Sequence, residues 1–201
     1  MAGGPGSGKT HIADRTAGGL GLKAINSDDP FEIYLKKEGL SLKMPDSETA
    51  ERDPLRAKAK RVTTKKQALA VEGRLGLLID GTGHEYDKVA KRAAELNQLG
   101  YETSMVFVNT SLEVALERNQ QRARSVQPSI AKKSWQDVQN NMGKFQNFFG
   151  PANFFIVDNN GVEQDLLHIS AKHIRRAIVK PVKNLIALAW IENEMKKKRR
   201  T

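Results

Sequence analysis

Short apolar runs alternate along the chain with longer stretches of helical period. The strand-like runs are Lys23–Asn26, Leu75–Asp80, Glu102–Asn109 and Phe154–Asp158, each followed by polar or Gly-rich residues. The helical stretches are Lys9–Leu20, Pro54–Glu72, Asp87–Leu99, Ser111–Arg124, Lys133–Phe149, Glu163–Val179 and Val182–Lys197. This alternation predicts an α/β fold, a parallel sheet flanked by helices. Asp53 before Pro54 reads as a helix start, with Asp as cap and Pro in the first turn. Ser111 before Leu112 can cap the helix that follows. Val182, Leu185, Ile186, Ala189 and Trp190 fall at i, i+3, i+4, i+7 and i+8, one apolar stripe expected to pack on the body. Residues 30–53 fit neither period and read as an insertion over the substrate side.

The chain has 201 residues. That suits one domain over residues 1–201, with a lid at 118–133 and a C-terminal helix and basic tail at 182–201. The tail, Lys196–Arg200, is five basic residues in a row. The net charge is +10. Such a surplus favours anionic partners, DNA among them, although solvated helices also carry excess Lys. With no cysteine, disulfides and thiolate chemistry are excluded. His11, His84, His168 and His173 show no metal-ligand spacing. The longest apolar run, Leu185–Ile191, is too short to span a bilayer, and the expected location is the cytoplasm of the producing or host cell.

Gly3-Gly4-Pro5-Gly6-Ser7-Gly8-Lys9-Thr10 matches G-x-x-x-x-G-K-[ST]. Glycines let the backbone wrap so that successive N–H groups face phosphate oxygens, and the following helix adds its positive end. Lys9 is expected to reach the β and γ phosphates of ATP, and the Thr10 hydroxyl to ligate Mg²⁺. A P-loop normally follows a buried central strand. Here Met1 and Ala2 precede Gly3, so either the start lies further upstream or the sheet manages without most of that strand.

Asp28 and Asp29 stand just past the first predicted strand, where ligands bind in an open parallel sheet. Asp28 there can accept the proton of an attacking hydroxyl. Asp29 abuts Pro30 and also fits a helix cap. Asp80 ends the apolar run Leu77-Leu78-Ile79, where a carboxylate can hold the Mg²⁺ water shell or orient the acceptor together with Thr82. Arg118 and Arg122 share a helix face, and Arg124 opens a polar stretch that reads as a mobile lid over the γ-phosphate.

These motifs, GGPGSGKT, INSDD, LLIDGTG and ERNQQRARSVQP in that order, resemble the polynucleotide-kinase type of P-loop kinase, with zeta-toxin kinases as cousins. The resemblance covers roughly residues 3–158. It implies Asp28 as general base, Lys9 and Arg122 as transition-state stabilisers, Arg118 as lid support and Asp80 in the acceptor site. In viral polynucleotide kinases a basic residue that reads an acceptor phosphate tends to follow the acidic pair; here Pro30-Phe31-Glu32 follows. Similar small phage kinases phosphorylate 5-hydroxymethyluracil within DNA. The resemblance therefore implies a hydroxyl on DNA as acceptor, the base hydroxymethyl first. It also implies Phe31 and Tyr34 as the residues that hold a splayed base. The alternatives are a 5′-OH polynucleotide kinase and a zeta-toxin-like nucleotide-sugar kinase.

Overall fold

In a computed structural model, residues 1–161 and 163–199 are described, with the side chains of 163–165 left aside. The elements run α1 (Lys9–Ala17), β1 (Lys23–Ile25), α2 (Asp28–Lys37), α3 (Thr49–Glu72), β2 (Leu77–Ile79), α4 (Tyr86–Gln98), β3 (Met105–Asn109), α5 (Leu112–Gln121), α6 (Pro128–Phe149), β4 (Phe154–Asp158), α7 (Glu163–Ile178) and α8 (Leu185–Lys198). Arg200 of the basic tail lies outside the described residues.

Two parallel strand pairs form the sheet. β1 pairs with β2, from Lys23 opposite Leu77 to Ile25 opposite Ile79. β3 pairs with β4, from Met105 opposite Phe154 to Asn109 opposite Asp158. Residues 1–3 thread between the pairs and tie them together. Ala2 bridges Phe107 in parallel, donating to Val106 O at 3.0 Å and accepting from Val108 N at 2.8 Å. Gly81 N donates to Met1 O at 3.3 Å on the other side. The strand expected before the P-loop is therefore present as a stub.

Strand alternation then sorts the core. Val106, Val108, Phe155 and Val157 face α1 and α7, where Ile12, Ala13, Leu166 and Ile174 meet them. Met105, Phe107 and Phe154 face α4 and α6, against Ala93, Val138 and Phe145. α2 and α3 form a separate hairpin around Phe31, Leu35 and Ala59.

Three expectations are corrected. Residues 30–53 are not an irregular insertion. Their first part is α2, whose one buried side carries Phe31 and Leu35 four residues apart, a period hidden by the many charges around it. α3 starts at Thr49 rather than Pro54, led in by a tight turn at Asp46–Glu48, and it carries Pro54 in its second turn at the loss of one backbone bond. α8 does not pack its stripe on the body. None of its residues is buried, and Leu185, Ile186 and Trp190 are 79%, 49% and 41% exposed. Its N-terminus is tied to the body through Asn184, whose Nδ2 donates to Asn97 O at 2.7 Å, and Arg74 lies over the Trp190 ring. No helix among the described residues is long and apolar enough to cross a membrane.

The Met1 ammonium donates to Ile79 O at 2.6 Å inside the sheet. Burial lowers its pKa from 8.0 to about 6, against the pull of Asp80. The unfolded chain then holds this proton more tightly than the folded one between pH 6 and 8. Stability should accordingly rise with pH across that window, by about 2–3 kcal/mol at full effect. Below pH 6 the penalty is complete; above pH 8 it is gone. Urea unfolding of free and N-acetylated chains at pH 5.5 and 8.5 isolates this contribution, because the acetylated chain has no ammonium to bury.

Candidate active site

The loop from Gly3 to Gly8 leaves the stub and turns into α1. Gly6 and Gly8 have φ of +80° and +86°. A Cβ at Gly6 would stand 2.1 Å from Ala115 O, and one at Gly8 2.4 Å from Asn159 Nδ2. Gly4 passes Trp135 closely: a Cβ added at Gly4 would lie 3.4 Å from both the Trp135 backbone and its ring. Ser7 is fully buried and its hydroxyl has no partner. Lys9 is buried on the first turn of α1. Burial lowers its pKa, while Asp80 and Asp28 pull it up and Arg122 and Arg124 push it further down.

Beside this loop lies a pocket of about 310 Å³ lined by Gly6, Gly8, Lys9, Thr10, Arg118 and Arg122, with His11, Asn159 and Leu166. Arg118 reaches it from α5 and donates to Asn159 O at 2.8 Å. Asn159 in turn donates to Ser7 O at 2.7 Å. One buried Asn at the end of β4 thus links the phosphate loop to the arginine helix. Sequence reasoning missed it; its signal is its place at the carboxyl end of a parallel strand.

Thr10 Oγ1 donates to Asp80 Oδ2 at 3.0 Å, and Asn26 Nδ2 reaches the same oxygen at 3.2 Å. Asp80 Oδ1 is buried without a partner. A hydroxyl next to a carboxylate with one orphaned oxygen suits Mg²⁺, which takes one or two protein ligands and completes its shell with phosphate and water. Thr10 and Asp80 would hold it.

Asp28 opens α2, where Asn26 Oδ1 accepts from its N–H at 2.8 Å. The carboxylate is clamped on both sides. Arg56 Nη1 lies 2.7 Å from Oδ1 and Arg124 Nη2 lies 2.6 Å from Oδ2. Burial pushes this carboxyl up, but Arg124, Arg56 and Lys9 outweigh it and hold it below the usual range. Asp29 differs. It is exposed, and its pKa is raised by burial and by Asp14, Asp28 and Asp80. It is also not the cap of α2; that position belongs to Ser27.

A second cleft, of about 990 Å³, opens on the acceptor side. Its mouth is lined by Asp28, Arg56, Lys60, Asp80, Thr82 and Lys88. Lys9 lines both this cleft and the nucleotide pocket. Phe31, expected to touch a base, is instead 3% exposed in the α2–α3 core, with the Arg56 guanidinium 4.7 Å from its ring centroid. The residue is apolar and sits on the helix face turned to α3, so packing claims it. The structure brings Lys9, Thr10, Asp28, Asp80, Arg118 and Arg122 to the two cavities and leaves Phe31 and Asp29 out of their walls. Arg56 was also missed; it comes from the third helix and no local motif marks it.

The lid is held at several points. Asn119 bonds Val126 through both N–H and C=O, at 3.2 and 2.8 Å. Lys43 Nζ donates to Arg122 O at 2.9 Å, and Gln127 donates to Asp46 at 3.0 Å. The loop between α5 and α6 is thereby closed against the α2–α3 connection, carrying Arg122 and Arg124 over the site.

No curated protein matches the chain. A family model does, over residues 1–144, and it is described as an AAA domain, AAA_33. That span holds the phosphate loop, Asp28, Asp80, Arg118, Arg122 and Arg124, so the chain belongs to this family of P-loop NTPases and is a nucleotide-binding enzyme of the kinase type.

Proposed function

We propose that the protein is an ATP- and Mg²⁺-dependent kinase that phosphorylates a hydroxyl group on DNA, with the 5-hydroxymethyl group of hydroxymethyluracil in phage DNA as the lead acceptor. The carrying observation is that Lys9 stands at the junction of the two cavities, with Asp28 on the acceptor side. An acceptor hydroxyl entering the cleft meets a carboxylate kept ionised by Arg124 and Arg56. Each carboxylate oxygen retains a second lone pair to accept the hydroxyl proton. The acceptor oxygen then bonds to the γ-phosphorus, the bond to the bridging β-oxygen breaks, and ADP leaves. Lys9, Arg118 and Arg122 stabilise the charge spread over the phosphoryl oxygens. Thr10 and Asp80 would hold Mg²⁺, which would supply charge neutralisation to the phosphate groups.

The case for DNA rests on the net charge of +10 and on Arg56, Lys60 and Lys88 along the cleft mouth. A second reading, the 5′-OH polynucleotide kinase, is favoured by Arg56. It puts a guanidinium beside Asp28 where no basic residue follows the acidic pair in sequence.

Label transfer from γ-labelled ATP decides between them. One oligonucleotide carries internal hydroxymethyluracil and blocked 5′ ends; another is unmodified with a free 5′-OH; a nucleotide sugar completes the panel. Label on the first alone is the expected result. Label on the second alone makes the protein a 5′-end kinase. Transfer to the nucleotide sugar alone rejects DNA. With a DNA acceptor, log affinity should fall with log salt by about 0.9 per phosphate contact on duplex.

A further inference from the structure

Between Asp53 and Glu72, α3 carries Arg56, Lys58, Lys60, Arg61, Lys65 and Lys66 and no acid. Arg56 and Lys60 stand four residues apart, as do Arg61 and Lys65. Each pair shares a helix face, and like charges at that spacing destabilise a helix. Elsewhere acids offset such cations. Glu32 meets Lys36 at 2.8 Å on α2, and Glu192 meets Lys196 at 2.7 Å on α8. On α7, Arg175 and Arg176 fall in the last turn, where the helix dipole favours a cation. The last turn of α3 holds no basic residue, so its cations gain nothing there. Arg56 is paired with Asp28, and Lys58 lies 4.6 Å from the Tyr34 ring centroid. Lys60, Arg61 and Lys65 are exposed and have no ion pair among the described residues.

Helix geometry arranges these cations into two rows. Arg56 and Lys60 share with Thr63 and Gln67 the side that lines the acceptor cleft. Arg61 and Lys65 stand roughly 140° further round at 3.6 residues per turn. Ala57, Thr64 and Ala68 lie between the rows, exposed and small enough for another backbone to pass close. From Arg56 to Lys65 the rows run about 13 Å along the axis. That is the rise of about four phosphates on one strand of a duplex. Across the cleft, Lys88 and Arg92 of α4 are also four apart and line the same opening. A lipid surface would call for an apolar face beside the cations. The large apolar residues that α3 exposes are Val62 and Leu69, seven positions apart, too few to anchor it.

We propose that the side of α3 bearing Arg56, Lys60, Arg61 and Lys65 is a DNA-binding ridge, along which the phosphates flanking the reacting nucleotide lie while that nucleotide enters the cleft at Asp28. This rests on the reading of DNA as the acceptor and extends it beyond the cleft. Phosphates set against the two rows turn the repulsion within each row into attraction, and bound counterions are released from the DNA. Arg56 joins the two regions, because it belongs to the first row and also holds Asp28 at 2.7 Å. The contacts are to backbone, so the ridge places the DNA without reading its sequence.

Arg61→Gln combined with Lys65→Gln tests this, since neither residue lines either cavity. A fluorescent duplex carrying hydroxymethyluracil is titrated without ATP from about 50 to about 200 mM salt. The double variant should bind about tenfold or more weakly near 0.1 M, and its log–log salt slope should be shallower by about 1.8, for two lost contacts. ATP affinity and the thermal midpoint should not fall. Lys172→Gln combined with Arg175→Gln on α7 removes the same charge elsewhere and should bind as the parent does. Equal losses in the two double variants overturn the proposal, because net charge alone then accounts for binding. No loss in the α3 variant overturns it too, as does a parent that binds vesicles of anionic lipid and not the duplex. Binding is read without phosphotransfer, so the two readings fail separately. Ridge-dependent binding with label passing to a nucleotide sugar rejects the DNA acceptor and leaves the ridge a DNA contact. Label on DNA with binding indifferent to Arg61 and Lys65 does the reverse.

Discussion

Lys9→Ala should lower phosphotransfer at least 1,000-fold and leave the thermal midpoint equal to or above that of the parent. The ammonium is buried at the start of α1 and lines both the nucleotide pocket and the acceptor cleft. During transfer it faces the oxygens on which charge accumulates. Removing a single preorganised donor of this kind costs about 10²–10³ in rate, and here the donor also carries a full charge. Stability should not suffer. Burial opposes the charged form of Lys9, and alanine has high helix propensity at this position. Initial rates with γ-labelled ATP at saturating acceptor, taken with the melting curve, separate the two effects. Turnover near the parent's would reject the assignment of the loop.

The α/β architecture and the nucleotide half of the site were legible because their signals are local. Eight contiguous residues define the phosphate loop, and Asp28 and Asp80 each follow a short apolar run. Burial of Val106, Val108, Phe155 and Val157 follows from strand alternation. The acceptor half was less legible because it is assembled from distant segments. Arg56 reaches Asp28 across 28 positions, and Asn159 reaches Ser7 across 152. Nothing in the residues around either one marks the contact. α2 was missed for a different reason: its buried apolar side is two residues wide, too little to show a period among six polar or charged neighbours. α8 misled in the opposite direction. Its stripe has the right period, but period reports what a helix can cover and not what is there to be covered.

Asp28→Asn should reduce kcat by about 10²–10⁴-fold with little change in the KM for ATP. Asn keeps the size of the side chain, and its carbonyl can still accept from one of the two guanidinium groups that hold Asp28 at 2.6 and 2.7 Å. What it cannot do is take the proton of the acceptor hydroxyl. The ATP side should be almost untouched, because the 310 Å³ pocket is lined by other residues. The pH profile gives an independent check. The folded carboxyl is held below its ordinary 3.8, so in the parent the base form persists at every pH down to that value. The acid limb of kcat should therefore lie below pH 4. In Asp28→Asn that limb should vanish, and the residual rate should rise with hydroxide. Asp29→Asn is the control. Asp29 is exposed and its hydrogen bond to Asn26 is long, at 3.4 Å, so its loss should cost less than tenfold. If Asp29→Asn is the crippling change and Asp28→Asn is not, the two carboxylates exchange roles, and the clamp formed by Arg56 and Arg124 would serve to position the lid rather than to hold a base.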